Sequence, residues 1–550
     1  MKRYFYNLII FSLLFFGVSG SCLNASVLSD LVNSAKLTNH FQPVEIFSNS
    51  PVNVSGISLE SYLYKCTYLR INKNAVSEIL LQRPGHIVFK IPVNGKDNIE
   101  FELIRSQVLT DDFRTGTISG DGLYSSIDYT PGLYYRGIIK GDNSSWAALS
   151  IFDDFVMLAA SGVSGNLNLA SLRKEESMYS DNYIFFSEAD LKIKNSFQCY
   201  SDELTMWKTP GENNKSSNNN ISSSFLQGPI RKYFECDYKM YQDYGSNTVN
   251  VNNFVTAIYN TNIAFYQNDQ ISTLLQSVYI WVTPDPYTST NDLYKILKKF
   301  GGRVRNTFNG HLAHLISTRT NTGGGIAWLE VLCYPYNSGD SSAPTAVSIL
   351  DTSLRPFPVY TWNTFVLCHE MGHNVGSPHT HSCSWIGGPI DTCYTVEGSC
   401  YSGPAVPRIG TIMSYCHSGL GVNLSLGFGV KPGNLVRQRY NAASCLIGIE
   451  QIGTTVPADY LLHQNYPNPF NPVTKIIFDI PPGSNGAREF FTKLTVYDAL
   501  GRIVAELAGV SLKPGRYSVD FDASNLTSGV YFYRLASDNF IQSKRMILVK

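Results

Sequence analysis

Between about Ala25 and Tyr200, apolar and polar side chains alternate over short stretches such as HIVFKIPV, FELIRSQVL and WAALSIF, separated by Gly, Asn and Asp turns. A period of two predicts a mostly β segment. The pattern changes after residue 228. YFECDYKMY has the character of a strand, and 249–266 carries apolar residues at helical spacing. SVYIWVT, NDLYKILKKF and HLAHLIS follow as strand, helix and strand. This alternation predicts a layered α/β domain ending near Ile449. From TKIIFDIP to RMILVK the chain then presents six short strands, with turns at Gly501, Gly515 and Gly529. Their spacing of about ten residues predicts a small β-sandwich.

Polar stretches separate these units. Residues 209–224, TPGENNKSSNNNISSS, hold almost no apolar side chain and read as a flexible, protease-accessible connector in which a maturation cut is expected. At the start, Lys2 and Arg3 precede an apolar run from Leu8 to Phe16 and then Gly17, Ser19, Gly20 and Ser21, the layout of an export signal. The run is shorter than the roughly 20 residues that a bilayer span needs. Cleavage is expected near Gly20 or Ala25. Cys22 leaves a lipoprotein as the second reading, with Ser19 standing where such signals usually want an aliphatic residue. The expected division is a signal at 1–25, a β-rich segment at 26–208, a connector at 209–227, the α/β domain at 228–449, a linker at 450–461 and the sandwich at 462–550.

A chain of 550 residues exceeds what one core usually organises, which agrees with several domains. Hydrophobic residues make up 43% and charged residues 16%, which argues against wholesale disorder. Basic and acidic residues balance at 43 each, so no net field favours nucleic acid or an anionic membrane. Export lets the cysteines oxidise. Four of them, Cys383, Cys393, Cys400 and Cys416, follow the histidine cluster described next, where loops without a core of their own need cross-links. Their pairing cannot be read from spacing.

Residues 369–379 read HEMGHNVGSPH. His369 and His373 stand one helical turn apart, so both rings can reach one ion. Gly376 can take the left-handed conformation that stops a helix and turns the chain back, which lets His379 complete the ligand set. Three neutral imidazoles with an open fourth position suit a catalytic zinc ion. Glu370 adjoins the first ligand. Its carboxylate can take a proton from zinc-bound water and later deliver it to a leaving amine.

The run resembles the HExxHxxGxxH signature of metzincin peptidases, and GTIMSYCH at 410–417 resembles their Met-turn. Asn374 and GGGIAWLEVLC bring 225–449 closest to the reprolysin (adamalysin) branch. The resemblance implies a metzincin-like α/β domain with a mixed sheet and an active-site helix, and Met413 packed beneath the metal. It also makes GGGIAWL an edge strand, on which Gly325, Ile326 and Ala327 bind substrate as an added antiparallel strand. Tyr415 stands where astacins and serralysins carry a tyrosine near zinc, whereas reprolysins generally lack one; its hydroxyl is a candidate donor to the oxyanion. Thr380 replaces the Asp common after the third ligand, which puts any role of that Asp in doubt. His381 reads as a loop histidine. Cys368 points about 100° away from His369 on a helix and reads as a disulfide partner or buried thiol.

YYRGIIKGDNSSWAALSIFDDFVMLA resembles the reprolysin propeptide, which implies latency. Cys199 could then cap the zinc as a thiolate; a disulfide with Cys66 is the equal alternative. Residues 462–550 resemble the type A sorting domain of the type IX secretion system, through NYPNPFNP, LTVYDALGRIV, SGVYFYRL and SKRMILVK. That implies an Ig-like sandwich, Sec export to the periplasm, and release or surface attachment; a carbohydrate-binding or spacer sandwich is the competing reading. Together these features predict a secreted zinc endopeptidase acting on proteins, with one zinc ion and calcium left open. The rivals are an inactive adhesive protein that keeps the fold and a zinc hydrolase acting on something other than peptides.

Overall fold

A computed structural model describes residues 26–201 and 228–550, apart from 52–57, 94–96, 173–178, 194–197, 306–307, 320–323, 340, 351–355, 397–402, 404–407, 409, 419–420, 447–448, 453–455, 483–489 and 524–525. The export signal with Cys22, the connector at 209–227 and Cys400 lie outside the described residues.

The N-terminal segment opens with helix α1 (Val27–Lys36), capped by Ser26, whose Oγ accepts the Ser29 N–H at 3.1 Å. Its strands are β1 (Gln42–Val44), β2 (Phe47–Asn49), β3 (Thr67–Ile71), β4 (His86–Val93), β5 (Asp97–Arg105) and β6 (Leu109–Ile118). They continue as β7 (Tyr124–Ser126), β8 (Leu133–Ile139), β9 (Trp146–Ile151), β10 (Val156–Gly162), β11 (Gly165–Ser171) and β12 (Asn182–Ser187), with helix α2 (Lys73–Gln82) after β3. All but β6 and β7 form one sheet in the order β1-β4-β5-β8-β9-β10-β11-β12-β3-β2. One face carries Phe89, Phe101, Leu149 and Leu158 against Val76 and Ile79 of α2. The other carries Trp146, Ala148 and Met157 into the core of the next domain. Covered on both faces, β9 and β10 are buried at every position.

The α/β domain contains β13 (Ile230–Cys236), α3 (Tyr238–Asp243), α4 (Thr248–Asn268), β14 (Thr273–Trp281) and α5 (Leu293–Val304). Next come β15 (Leu312–Ser317), β16 (Gly324–Ala327), β17 (Thr345–Ile349), α6 (Tyr360–Val375) and α7 (Val430–Ala442). Its sheet is mixed, in the order β16-β17-β15-β13-β14-β6-β7, with β16 antiparallel to β17 at one edge. Two features differ from the sequence reading. YFECDYKMY is not one strand: Asp237 accepts the Met240 N–H at 2.8 Å, which caps α3 and ends β13 at Cys236. The hairpin β6–β7 does not stay with the strands around it, because β6 pairs parallel with β14 and extends the mixed sheet. Helix α5 packs Ile296, Leu297 and Phe300 on one face of that sheet, and α4 and α6 cover the other.

The C-terminal region is β-rich. Strands β18 (Ile449–Gln451), β19 (Leu461–Leu462), β20 (Val473–Ile480) and β21 (Phe490–Tyr497) are followed by β22 (Ile503–Leu512), β23 (Gly515–Asp522), β24 (Gly529–Ser537) and β25 (Phe540–Leu548). They make two antiparallel sheets, β18-β23-β20-β19 and β22-β21-β24-β25, around Phe478, Leu494, Val519 and Tyr533. Ile449–Gln451 thus pairs within this region, although the sequence reading put it at the end of the α/β domain and in the linker. Cys333 and Cys445 form a disulfide that ties the chain after β16 to the end of α7. Among the described residues no helix is long and apolar enough to cross a membrane.

Candidate active site

Helix α6 carries His369 and His373 on one face and ends at Gly376, whose φ of 120° only glycine adopts readily. Its N–H reaches back to Gly372 O at 3.1 Å and His373 O at 2.9 Å. The chain then turns so that the Nε2 atoms of His369, His373 and His379 form a triangle with edges of 3.2, 3.2 and 3.1 Å. A tetrahedral zinc with nitrogens at about 2.0–2.1 Å needs ligand separations of about 3.3 Å, so the triangle fits such an ion.

The outer ring nitrogens set the tautomers. His369 Nδ1 lies 2.7 Å from Ile412 O and His373 Nδ1 lies 2.7 Å from Ser377 O. A carbonyl only accepts, so each Nδ1 carries the proton and each Nε2 lone pair faces the centre. Burial, together with the neighbouring imidazoles of His373 and His379, holds His369 well below the usual histidine range and keeps it neutral.

Cys199 of the N-terminal segment stands at the fourth corner. Its Sγ is 3.5 Å from His373 Nε2, and the four candidate ligand atoms lie within 4.8 Å of one another. Mixed sulfur and nitrogen ligands on a tetrahedral zinc stand about 3.6 Å apart. Burial, then the Glu370 carboxylate 3.7 Å away, pushes the thiol up to about 12. A coordinated cation would reverse that preference, since a coordinating thiol is deprotonated. Cys66 and Cys199 are both free thiols, so the alternative disulfide is not formed here.

Residues 198–201 lie along the outer edge of β16 as a short parallel partner, with Cys199 opposite Gly325. Gly325 N–H donates to Gln198 O at 3.3 Å, and Tyr200 N–H donates to Gly325 O at 3.0 Å. Ser201 Oγ accepts from Ala327 N–H and donates to Ala327 O, both at 3.1 Å. Gly325 and Ala327 therefore present their backbone outward. Ile326 instead buries its side chain in the core with Val347 and Ile349. Gly325 has a second function: a Cβ there would stand 2.6 Å from Cδ of Glu370, so its absence makes room for that carboxylate beside the strand.

Met413 packs against the histidine helix at Gly372. A Cβ on Gly372 would come within 2.7 Å of Met413 Sδ and 2.9 Å of Phe428. Thr380, in the place of the expected Asp, donates its N–H to Met413 O at 3.1 Å and its hydroxyl to the same oxygen at 3.3 Å. Tyr415 O–H donates to Cys199 O at 2.9 Å and accepts Cys199 N–H at 3.2 Å. Its ring packs on His379 at 4.8 Å. His381 lies in the turn that follows His379, fully buried, and stacks on His379 at 5.0 Å. Cys368 is a buried thiol that accepts from Asn262 Nδ2 at 3.2 Å. Cys393 pairs with Cys416, and Cys383 is also disulfide-bonded.

Residues 229–425 match the family model described as metallo-peptidase family M12, Reprolysin_5. The matched region carries His369, His373 and His379. Residues 464–550 match a second model, described as a secretion system C-terminal sorting domain. A secretion sorting domain implies secretion to the cell surface or the medium. Among solved structures the chain is similar to one titled "Structure of a chaperone-substrate complex", at 10% identity and a TM-score of 0.25, over 66% of this chain and 57% of that one. It is also similar to an endo-beta-1,4-mannanase from Thermotoga petrophila, at 11% identity and a TM-score of 0.11, over 22% and 24%. The chain thus spans just over half the length of the first and about a quarter of the second.

Sequence reasoning missed several residues that shape the candidate site. Gly372 was open to discovery, because a glycine inside a helix costs about 1 kcal/mol relative to alanine and so asks for a reason. Asn374 was noted only as a family marker. Its amide donates to Trp328 O and Thr345 O, both at 2.9 Å, which joins the histidine helix to β16 and β17. Ser201 carried no signal, since its pairing with Ala327 depends on the path of the N-terminal segment.

Proposed function

We propose that the chain is a zinc endopeptidase made as a latent precursor, whose N-terminal segment acts as a propeptide and holds Cys199 against the metal. His369, His373 and His379 would hold one zinc ion, which supplies Lewis acidity and lowers the pKa of bound water to about 7. The observation that carries this reading is the triangle of buried Nε2 atoms, with both visible tautomers fixed for ligation and a cysteine sulfur at the fourth corner.

Glu370 lies between that corner and the edge strand, where its carboxylate can take a proton and return it to the leaving amine. The outward backbone of Gly325 and Ala327 offers a substrate strand the groups that now bind residues 198–201, while Ile326 fixes the strand in the core. Once that segment leaves, the Tyr415 hydroxyl loses both of its Cys199 partners and is available to donate to an oxyanion. Export through the N-terminal signal and periplasm, then removal of the sorting domain, completes the route.

The test is Glu370→Ala in the processed protein. Zinc content should be unchanged while peptide hydrolysis falls by about 10²–10⁴-fold or more. Undiminished hydrolysis would remove Glu370 from the chemistry.

A further inference from the structure

We infer that the N-terminal segment is a lasting subunit of the peptidase: after the connector is cut, residues 26–201 stay bound, and the active enzyme is a two-chain assembly from which only the 198–201 strand withdraws. The inference rests on the proposed maturation cut and goes beyond it.

The first observation is sheet completion. Strand β6 continues the mixed sheet beyond β14, with Arg114 to Ile118 registered on Ser277 to Trp281. Two further bonds extend the seam: Leu275 N–H donates to Val108 O at 2.9 Å and Val282 N–H to Ile118 O at 3.1 Å. Loss of β6 would leave β14 an open edge, with unpaired backbone groups and an invitation to aggregate. The hairpin is also pinned by its tip. Arg303 of α5 donates to Tyr124 OH at 2.6 Å, and the Tyr124 ring meets Tyr279 edge-on at 4.9 Å.

The second is the cap of the histidine helix. Val359, at the N-cap of α6, makes no capping bond. Asn168 of β11 supplies it from the N-terminal segment, its Oδ1 accepting Thr361 N–H at 2.9 Å and its Nδ2 donating to Thr361 Oγ1 at 2.9 Å. The helix that carries His369 and His373 thus begins on a residue of the other chain segment.

The third is a buried polar seam along α4. Asn260 Nδ2 donates to Leu149 O at 3.1 Å, and its Oδ1 accepts from Arg136 Nη1 at 3.1 Å. Arg136 also donates to Gln267 Oε1 at 3.1 Å. Thr115 donates to Asn252 at 2.9 Å. Around this seam Trp146, Phe155 and Met157 share one apolar core with Phe254, Tyr360 and Met413. A surface that was apolar alone or polar alone could separate more readily. This one would expose large aromatic side chains and strand buried hydrogen-bonding groups on both sides. The 198–201 strand differs: its backbone bonds fall on one outer strand edge and on Tyr415, and its Cys199 sulfur on Glu370 and His373, so its release breaks none of the three sets of contacts above.

The experiment uses the full chain with a sequence-specific protease site placed in the connector, in wild-type and Glu370→Ala forms. After cutting and without denaturant, the two fragments should co-elute in equal amounts on size exclusion, and the wild-type peak should hydrolyse a generic peptide. Asn168→Ala combined with Tyr124→Ala should shift the partition toward free fragments at least severalfold. Separation of wild-type fragments with hydrolysis retained by the 228–449 piece overturns the inference. So does co-elution in which hydrolysis appears only after the N-terminal fragment is digested away. Because Glu370→Ala reports association without catalysis, a protein that never hydrolyses peptides refutes the peptidase reading separately.

Discussion

Replacing Cys199 by alanine isolates the sulfur from the rest of the latch. The backbone bonds to Gly325, the Ser201–Ala327 pair and the Tyr415 clamp are untouched by the substitution, and each is worth about 1 kcal/mol net. What disappears is the proposed fourth metal ligand. Structural zinc sites in short peptides gain about 10–16 kcal/mol over four ligands, so one is worth about 3 kcal/mol, roughly a hundredfold in the open-to-closed equilibrium. Intact Cys199→Ala precursor should therefore hydrolyse a quenched peptide about a hundredfold faster than intact wild type, while remaining below the processed enzyme. Ser201→Ala removes two bonds to Ala327, about 1–2 kcal/mol or roughly tenfold, and should rank between wild type and Cys199→Ala. The assay reads initial rates per bound zinc, with gels showing that the precursor is uncut. A zinc-loaded Cys199→Ala precursor no faster than wild type would refute the thiol cap.

Two further outcomes concern stability. Gly372→Ala gains helix propensity of about 1 kcal/mol, but its Cβ would meet Met413 and Phe428 at 2.7 and 2.9 Å. Overpacking of about 1–3 kcal/mol should win, lowering Tm and zinc retention together; a more stable variant would contradict the packing argument. Lys232 is fully buried with no partner for Nζ among the described residues, and burial brings it from 10.5 down to about 7. The unfolded lysine keeps its proton to higher pH than the folded one, so the stability cost is full below about pH 7 and fades as pH rises toward 10.5. Lys232→Met should raise stability by about 2–4 kcal/mol at pH 7, with a smaller gain at pH 10; a gain that does not change with pH would contradict this.

The histidine spacing was legible because helix geometry converts four residues into one turn, and Gly376 into a stop. The edge position of Gly325 to Ala327 came from resemblance, and so did the Met-turn. The connectivity of the N-terminal strands was not legible. LTDDFRTGTI alternates no differently from its neighbours, yet β6 joins a sheet whose next strand lies more than 150 residues away in sequence. Strand character is local, whereas the choice of partner depends on which long-range pairing buries Ile118 and Trp281 together. YFECDYKMY shows the reverse limit. Its apolar content suited a strand throughout, but the Asp237 side chain takes an amide of the following turn and ends it. Ser201 and Asn168 act only on groups of distant segments, so no pattern in their own neighbourhoods could mark them.

The central claim is that three imidazoles hold one catalytic divalent ion. Elemental analysis of purified, processed protein tests it most directly: the wild type should carry one zinc per chain after dialysis against trace metal, and His373→Ala should retain less than about a tenth of that. A wild-type protein that stays metal-free when offered zinc, or a His373→Ala variant that binds zinc as well as wild type, would contradict the account.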